Sequence, residues 1–269
     1  MSPRPSVAVL GVGAIGQALV TGLMGAGWLP EQLALCVRRP GRVEELASLT
    51  GSLVTLDPIE TVDGKEVIVV AVKPRDVPGL LEALAGNVSG DQLVISVAAG
   101  VPTTSFEAVL EGVPVVRAMP NIPVLVGQAV TAMAPGRHTH PVHLDKARTV
   151  LGAVGAVQLL DEGLLDAVTA VSGTGPAYVF LLAEALTEAA IREGLPRDVA
   201  EAFVSQTIRG AGHLLTDTTL GPFELRAQVT SPGGTTAAAM HVLEERGFRA
   251  LVEDAVRAAA QRARELGAG

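Results

Sequence analysis

Aromatic side chains and cysteine are nearly missing from this 269-residue chain, which has one Trp, one Tyr, five Phe and a single cysteine, Cys36. One cysteine excludes an internal disulfide framework and a cysteine-built metal site, and it fits a reducing compartment. With aromatics at 3%, the core must be assembled from Ala, Val and Leu, which a hydrophobic content of 48% allows. Lysine is also scarce: Lys65, Lys73 and Lys146 are the only three. Basic residues form no stripe and the formal net charge is −8, which argues against nucleic acid as a partner. No run of 18 apolar residues is found, and Met1-Ser2-Pro3-Arg4-Pro5 leads into a short apolar strand rather than a leader peptide. The expectation is a soluble, cytoplasmic protein with no membrane partner.

The first half alternates strand and helix. Residues 6–10 read as a buried strand and run into Gly11-Val12-Gly13-Ala14-Ile15-Gly16, with a helix to about residue 25. In that strand–turn–helix setting Gly11 allows the tight turn, Gly13 clears space for a pyrophosphate and Gly16 lets helix and strand pack closely. Further strands fit residues 33–37, 53–55, 66–71, 92–97, 113–117, 129–133 and 153–160. Such alternation predicts a Rossmann-type, mostly parallel sheet over residues 1–160.

Cofactor preference is readable at the end of the second strand. An acid there would hold both ribose hydroxyls of NAD, but the chain has Arg38-Arg39-Pro40-Gly41-Arg42 and no acid before Glu44. Guanidiniums suit a 2′-phosphate, so NADPH is the expected cofactor, with NADH as the alternative. Ala71-Val72-Lys73-Pro74 and the strand end at Ala98 should face the dinucleotide, because ligands in open α/β sheets bind outside the carboxyl ends of strands. One strand later, Met119-Pro120-Asn121-Ile122-Pro123 holds Asn121 on a rigid backbone, where its amide can both donate and accept.

From residue 161 the strand signal stops. Helices fit residues 163–171, a stretch from Pro176 to about residue 193, then 197–215, 237–245 and 248–266, so residues 161–269 form an all-helical domain. Ser172-Gly173-Thr174-Gly175-Pro176 reads as an interruption between two of these helices. Their wide Ala- and Leu-rich faces point to a dimerisation domain. Between helices lies Thr230-Ser231-Pro232-Gly233-Gly234-Thr235-Thr236, with strong helix formers after it. A helix start with two glycines and several hydroxyls is a cradle for a carboxylate or phosphate, although taken alone it could be an ordinary capped turn. His138, His140 and His143 read as a polar helix start rather than a metal site.

These segments, in this order, resemble the pyrroline-5-carboxylate reductase family along nearly the whole chain. The matching pieces are residues 11–16, 71–74, 96–101, 117–123, 172–178, 194–198 and 225–236, continued at 241–244 and 247–249. S-P-G-G-T-T and S-G-T-G-P-A-Y are the most specific of them. The resemblance implies reduction of L-1-pyrroline-5-carboxylate to L-proline by hydride transfer from NAD(P)H. It places the Thr236 hydroxyl near the imine nitrogen as the catalytic group, with Ser231, Gly233, Gly234, Thr235 and Asn121 binding substrate. It also implies a homodimer, assembled into a decamer in some relatives. The chemistry requires no metal. Two departures stand out: Ile122 where relatives often have Thr, and Asp57-Pro58-Ile59 where an Asn often contacts cofactor. β-Hydroxyacid dehydrogenases also join a Rossmann domain to a helical one, but they use a lysine on the helical domain, and residues 147–269 contain none. A dinucleotide sensor without catalysis would not need the S-P-G-G-T-T cradle.

Overall fold

The computed structural model describes residues 4–267. Eight strands, β1 Val7–Leu10, β2 Leu33–Cys36, β3 Leu53–Thr55, β4 Val67–Val70, β5 Leu93–Ser96, β6 Val115–Met119, β7 Ala129–Pro135 and β8 Gly155–Leu159, form one sheet in the order β3-β2-β1-β4-β5-β6-β7-β8. The connecting helices are α1 Ala14–Gly25, α2 Gly41–Thr50, α3 Pro58–Val62, α4 Val77–Leu84, α5 Thr103–Glu107 and α6 Pro141–Leu151. Then follow α7 Leu165–Val168, α8 Gly175–Arg192, α9 Arg197–Asp217, α10 Pro222–Gln228, α11 Thr235–Glu245 and α12 Phe248–Gly267.

Val7-Ala8-Val9-Leu10, Val67-Ile68-Val69-Val70 and Leu93-Val94-Ile95-Ser96 are buried throughout, because a parallel sheet covered on both faces needs apolar residues at every strand position. Successive residues serve opposite faces. Val7, Val9, Val67 and Val69 pack into one core, while Ala8, Leu10, Ile68 and Val70 pack into the other. All neighbouring strands are parallel except β6 and β7. Only residues 120–128 join those two, too few for a crossover, so the chain turns back through a 3-10 turn at Ile122–Val126.

The chain divides into two compact units: one runs to Thr174 and includes the chain again from Ala259, and the other is Gly175–Ala258. Sequence reading puts a boundary at residue 160, where the strands end. In the structure the turns that follow stay with the sheet, because Leu165 is buried against Ala132 and Ala134 of β7. Within Ser172-Gly173-Thr174-Gly175-Pro176 the helix is interrupted by a bend at Thr174, and α8 starts at Gly175, one residue before the start expected at Pro176. A π turn over Thr169–Gly173 extends α7 up to that bend. The stretch Glu162–Arg192 contains an 18-residue window of mean hydropathy 1.3, long and apolar enough to cross a membrane by length and composition alone.

Candidate active site

The first βα turn is shaped by what cannot fit into it. Gly11 has φ +96°, and a Cβ there would lie 2.8 Å from the Val72 nitrogen, so only glycine serves. A Cβ on Gly16 would run into the Gly11 carbonyl oxygen, which lets α1 start tightly against β1. Around Gly13 a Cβ would meet open space. Gly13 is the N-cap of α1 and no side chain caps that helix, so its first-turn N–H groups are bare at the positive end of the dipole. A pyrophosphate fits this opening.

A cavity of about 560 Å³ extends from the turn, lined by Gly11, Val12 and Gly13, by Val37, Arg38, Arg39 and Arg42 after β2, and by Ala71, Val72 and Lys73 after β4. Arg75, Asp76 and Gly79 complete the wall. Those three and Val37 were not singled out as ligands from sequence. The signal for Arg75 and Asp76 was the basic-acidic pair directly after Lys73-Pro74, which a 3-10 turn over Pro74–Asp76 folds back into the cleft. The other residues named from sequence stand behind the wall or form its frame. Ala14 opens α1, Ile15 packs against the core, Pro74 starts the 3-10 turn, and the N–H of buried Ala98 donates to Ser96 Oγ at 3.3 Å.

The guanidiniums differ in what already holds them. Arg42 donates to Glu45 Oε1 at 2.7 Å and to Gln17 Oε1 at 3.0 Å. Arg38 lies 3.6 Å and Arg75 3.9 Å from the Asp76 carboxylate. Arg39 has no ion pair among the described residues. A 2′-phosphate would therefore meet one unengaged guanidinium and one held only by an exposed pair, which offers little competition. Cys36 ends β2 behind this wall, where burial pushes its thiol up from the usual value. It remains a thiol at neutral pH. Asp57, at the second departure from the family pattern, caps α3 by accepting from Ile59 N at 2.8 Å. His140 starts α6 and donates its N–H to His143 Nδ1 at 3.0 Å, so these histidines build a helix start.

Asn121 is engaged within the protein. Its Nδ2 donates to Ser172 O at 3.3 Å and Ser172 Oγ at 3.2 Å, while its Oδ1 accepts from Val130 N at 3.0 Å. The substrate role expected of it from sequence is not the one this geometry favours, since both ends of the amide already have partners. Nearby, Glu162 accepts from Thr103 N at 2.8 Å and Thr103 Oγ1 at 2.7 Å, and from Arg117 at 3.3 Å. That pair is shielded, with Arg117 12% exposed, and it ties the end of β6 to the chain leaving β8.

In the second unit the S-P-G-G-T-T segment forms a tight turn. Gly233 has φ +66°, Gly234 N donates to Ser231 O at 3.1 Å, and a Cβ on Gly234 would collide with Ser231 Oγ. Gly234 is the N-cap of α11, without a side-chain cap, so Thr235 and Thr236 occupy the first turn with their N–H groups open. The arrangement can hold a carboxylate.

A bare helix start closed by guanidiniums where an NAD enzyme would have an acid defines a Rossmann-type, NADP-dependent oxidoreductase. The family model described as NADP oxidoreductase, coenzyme F420-dependent, matches residues 6–100, and that described as pyrroline-5-carboxylate reductase dimerisation matches residues 162–266. A pyrroline-5-carboxylate reductase of Mycobacterium tuberculosis is 43% identical, over 97% of this chain and 96% of the relative. The solved structure of a pyrroline-5-carboxylate reductase from Coxiella burnetii superposes with a TM-score of 0.95 at 34% identity, covering 98% of this chain and 99% of that one. The Plasmodium falciparum pyrroline carboxylate reductase, solved with NADP bound, gives 0.86 at 27% identity over 98% of each chain. The chain belongs to the pyrroline-5-carboxylate reductase family. Its substrate is accordingly a small molecule and its assembly a homo-oligomer.

Proposed function

We propose that this protein reduces the C=N bond of L-1-pyrroline-5-carboxylate to give L-proline, the last step of proline biosynthesis, with NADPH as the preferred donor. The observation that carries this reading is the open N-terminus of α11, where Gly233 and Gly234 leave the backbone accessible and Ser231, Thr235 and Thr236 supply hydroxyls. A cyclic imine with one carboxylate matches that cradle in charge and size.

NADPH, when bound, supplies the hydride delivered to the imine carbon. The first-turn N–H groups of α1 would hold its pyrophosphate and Arg38 with Arg39 its 2′-phosphate. The turn at Gly233-Gly234 fixes the substrate carboxylate, and the Thr236 hydroxyl orients the imine nitrogen. An alcohol is a poor acid, so Thr236 acts by position and as a relay for the nitrogen's proton. Positioning and exclusion of water carry most of the acceleration.

The minimal active assembly in this reading is a two-fold dimer, and a decamer is the higher state to look for. The apolar stretch Glu162–Arg192 then serves the dimer, not a lipid bilayer, and the protein works in the cytoplasm without nucleic acid. Absorbance at 340 nm with pyrroline-5-carboxylate and each dinucleotide in turn tests the function. Oxidation of NADPH with stoichiometric proline is expected; no turnover with either cofactor would end the reading.

A further inference from the structure

Two features meet at the carboxyl end of β6 that the reaction so far leaves unused, a π turn and a side-chain amide bound to it. In the π turn Thr174 N donates to Thr169 O at 2.8 Å, five residues back, and Thr174 Oγ1 donates to the same oxygen at 3.0 Å. Pro176 has no N–H, so the bond that an α-helix would direct from residue 176 to Ser172 O does not form. Asn121 Nδ2 supplies a donor to that carbonyl and to Ser172 Oγ, and Val130 N on β7 holds Asn121 Oδ1 from behind. The turn sits close against the strand: a Cβ on Gly173 would lie 3.1 Å from Met119 Cε. An extra residue in a helical turn is costly without such partners, and single π turns recur at functional positions.

The clamp falls where the chain leaves the first unit, whose boundary is Thr174. The other passage lies inside the unbroken helix α12. We propose that Asn121 is a positioning residue whose amide holds the π turn and thereby sets the conformation of the connection into the helical unit. Resting on the proposed function, this has a specific consequence. Hydride transfer needs cofactor and imine aligned to a fraction of an ångström, whereas cofactor binding needs only the first unit. Loss of the clamp should lower kcat and leave NADPH affinity unchanged.

Asn121→Asp is the sharp test. Its carboxylate still accepts from Val130 N but repels Ser172 O, while the protonated carboxyl can donate in place of Nδ2. At pH 7.5 kcat should fall about 10-fold with the NADPH Kd, read by fluorescence titration, within twofold of the unsubstituted protein. The ratio of variant to parent kcat should rise as the pH falls toward 5. Pro176→Ala, which restores an N–H aimed at Ser172 O and favours helix, should also lower kcat with Kd unchanged. Hydrogen exchange at the Thr174 amide reads the clamp without substrate and should quicken in Asn121→Asp at neutral pH. If the parent protein does not reduce the imine, the functional reading fails while the exchange result still judges the clamp. Unchanged exchange at Thr174, a pH-independent ratio, or a raised KM with kcat preserved would overturn the proposal, the last by making Asn121 a substrate ligand.

Discussion

The two units solve the burial problem in opposite ways. The first hides three complete strands and fills both faces of its sheet with Val, Leu and Ile. In Gly175–Ala258 the only buried apolar residue is Ala200, while Phe203, Phe180, Leu181 and Leu251 are all 60% exposed or more. A domain of that size with almost no interior is not stable alone. The difference teaches that the Rossmann unit contains its own core, whereas the helical unit acquires one by association.

That contrast breaks first at the interface. Phe203→Asp with Leu251→Asp should weaken self-association by about 4 kcal/mol or more, seen as monomer at micromolar concentration in sedimentation equilibrium, while the sheet unit still titrates NADPH. An active, stable 27.5 kDa monomer from nanomolar to micromolar concentration would refute the borrowed core.

On the Rossmann side, Arg38→Ala with Arg39→Ala should remove charged hydrogen bonds of roughly 1.5–3 kcal/mol each from NADPH binding. The expected signature is a fall in kcat/KM for NADPH with NADH kinetics nearly unchanged. Equal loss of both would mean that these guanidiniums do not hold the 2′-phosphate.

In the helical unit, Thr236→Ala should lower kcat about 10-fold, about 1.4 kcal/mol of barrier, while Thr236→Ser retains much of the rate and both bind NADPH normally. Parental turnover by the alanine variant would remove Thr236 from the chemistry.

The smallest effect lies within the first unit and depends on pH. Lys146 donates to Glu66 at 2.9 Å and, with Ser6 N, holds the Glu66 carboxyl below its usual 4.5. A depressed folded pKa gives stability that is present above the unfolded value and lost as the pH falls through the folded one. Both partners are partly exposed, so Lys146→Ala should remove less than about 1 kcal/mol above pH 5, with the difference closing in acid. Thermal melts between pH 3 and 7 would show it, and a constant gap would assign the effect to packing instead.

All eight strands could be read from the chain; β1, β4 and β5, buried on both faces, appear as short apolar runs between turn residues, while β3 and β8 are more exposed. The reversed pairing of β6 and β7 could not, since it depends on the length of a connection whose 3-10 turn is not visible as a pattern. α10, Pro222–Gln228, is too short to show helical periodicity. Gly173, Gly175 and Pro176 signal the break at Thr174 but not the π turn that precedes it. The π turn is held by Asn121, far away in sequence. Likewise Arg75 and Asp76 entered the cleft wall only through the fold-back at Pro74.

By itself the sequence determined the features that local chemistry dictates. These are the glycines at a turn where Cβ cannot fit, the arginines in place of an acid after β2, the two-glycine start of α11 and the apolar runs of the sheet. Tertiary structure alone decided which polar groups were already satisfied. It engaged the Asn121 amide with Ser172 and Val130, tied Arg42 to Glu45 and Gln17, and left Arg39 without an ion pair. The physical reason is that a side chain's availability depends on its neighbours in space, and these include Ser172, 51 residues from Asn121, and Gln17, 25 residues from Arg42.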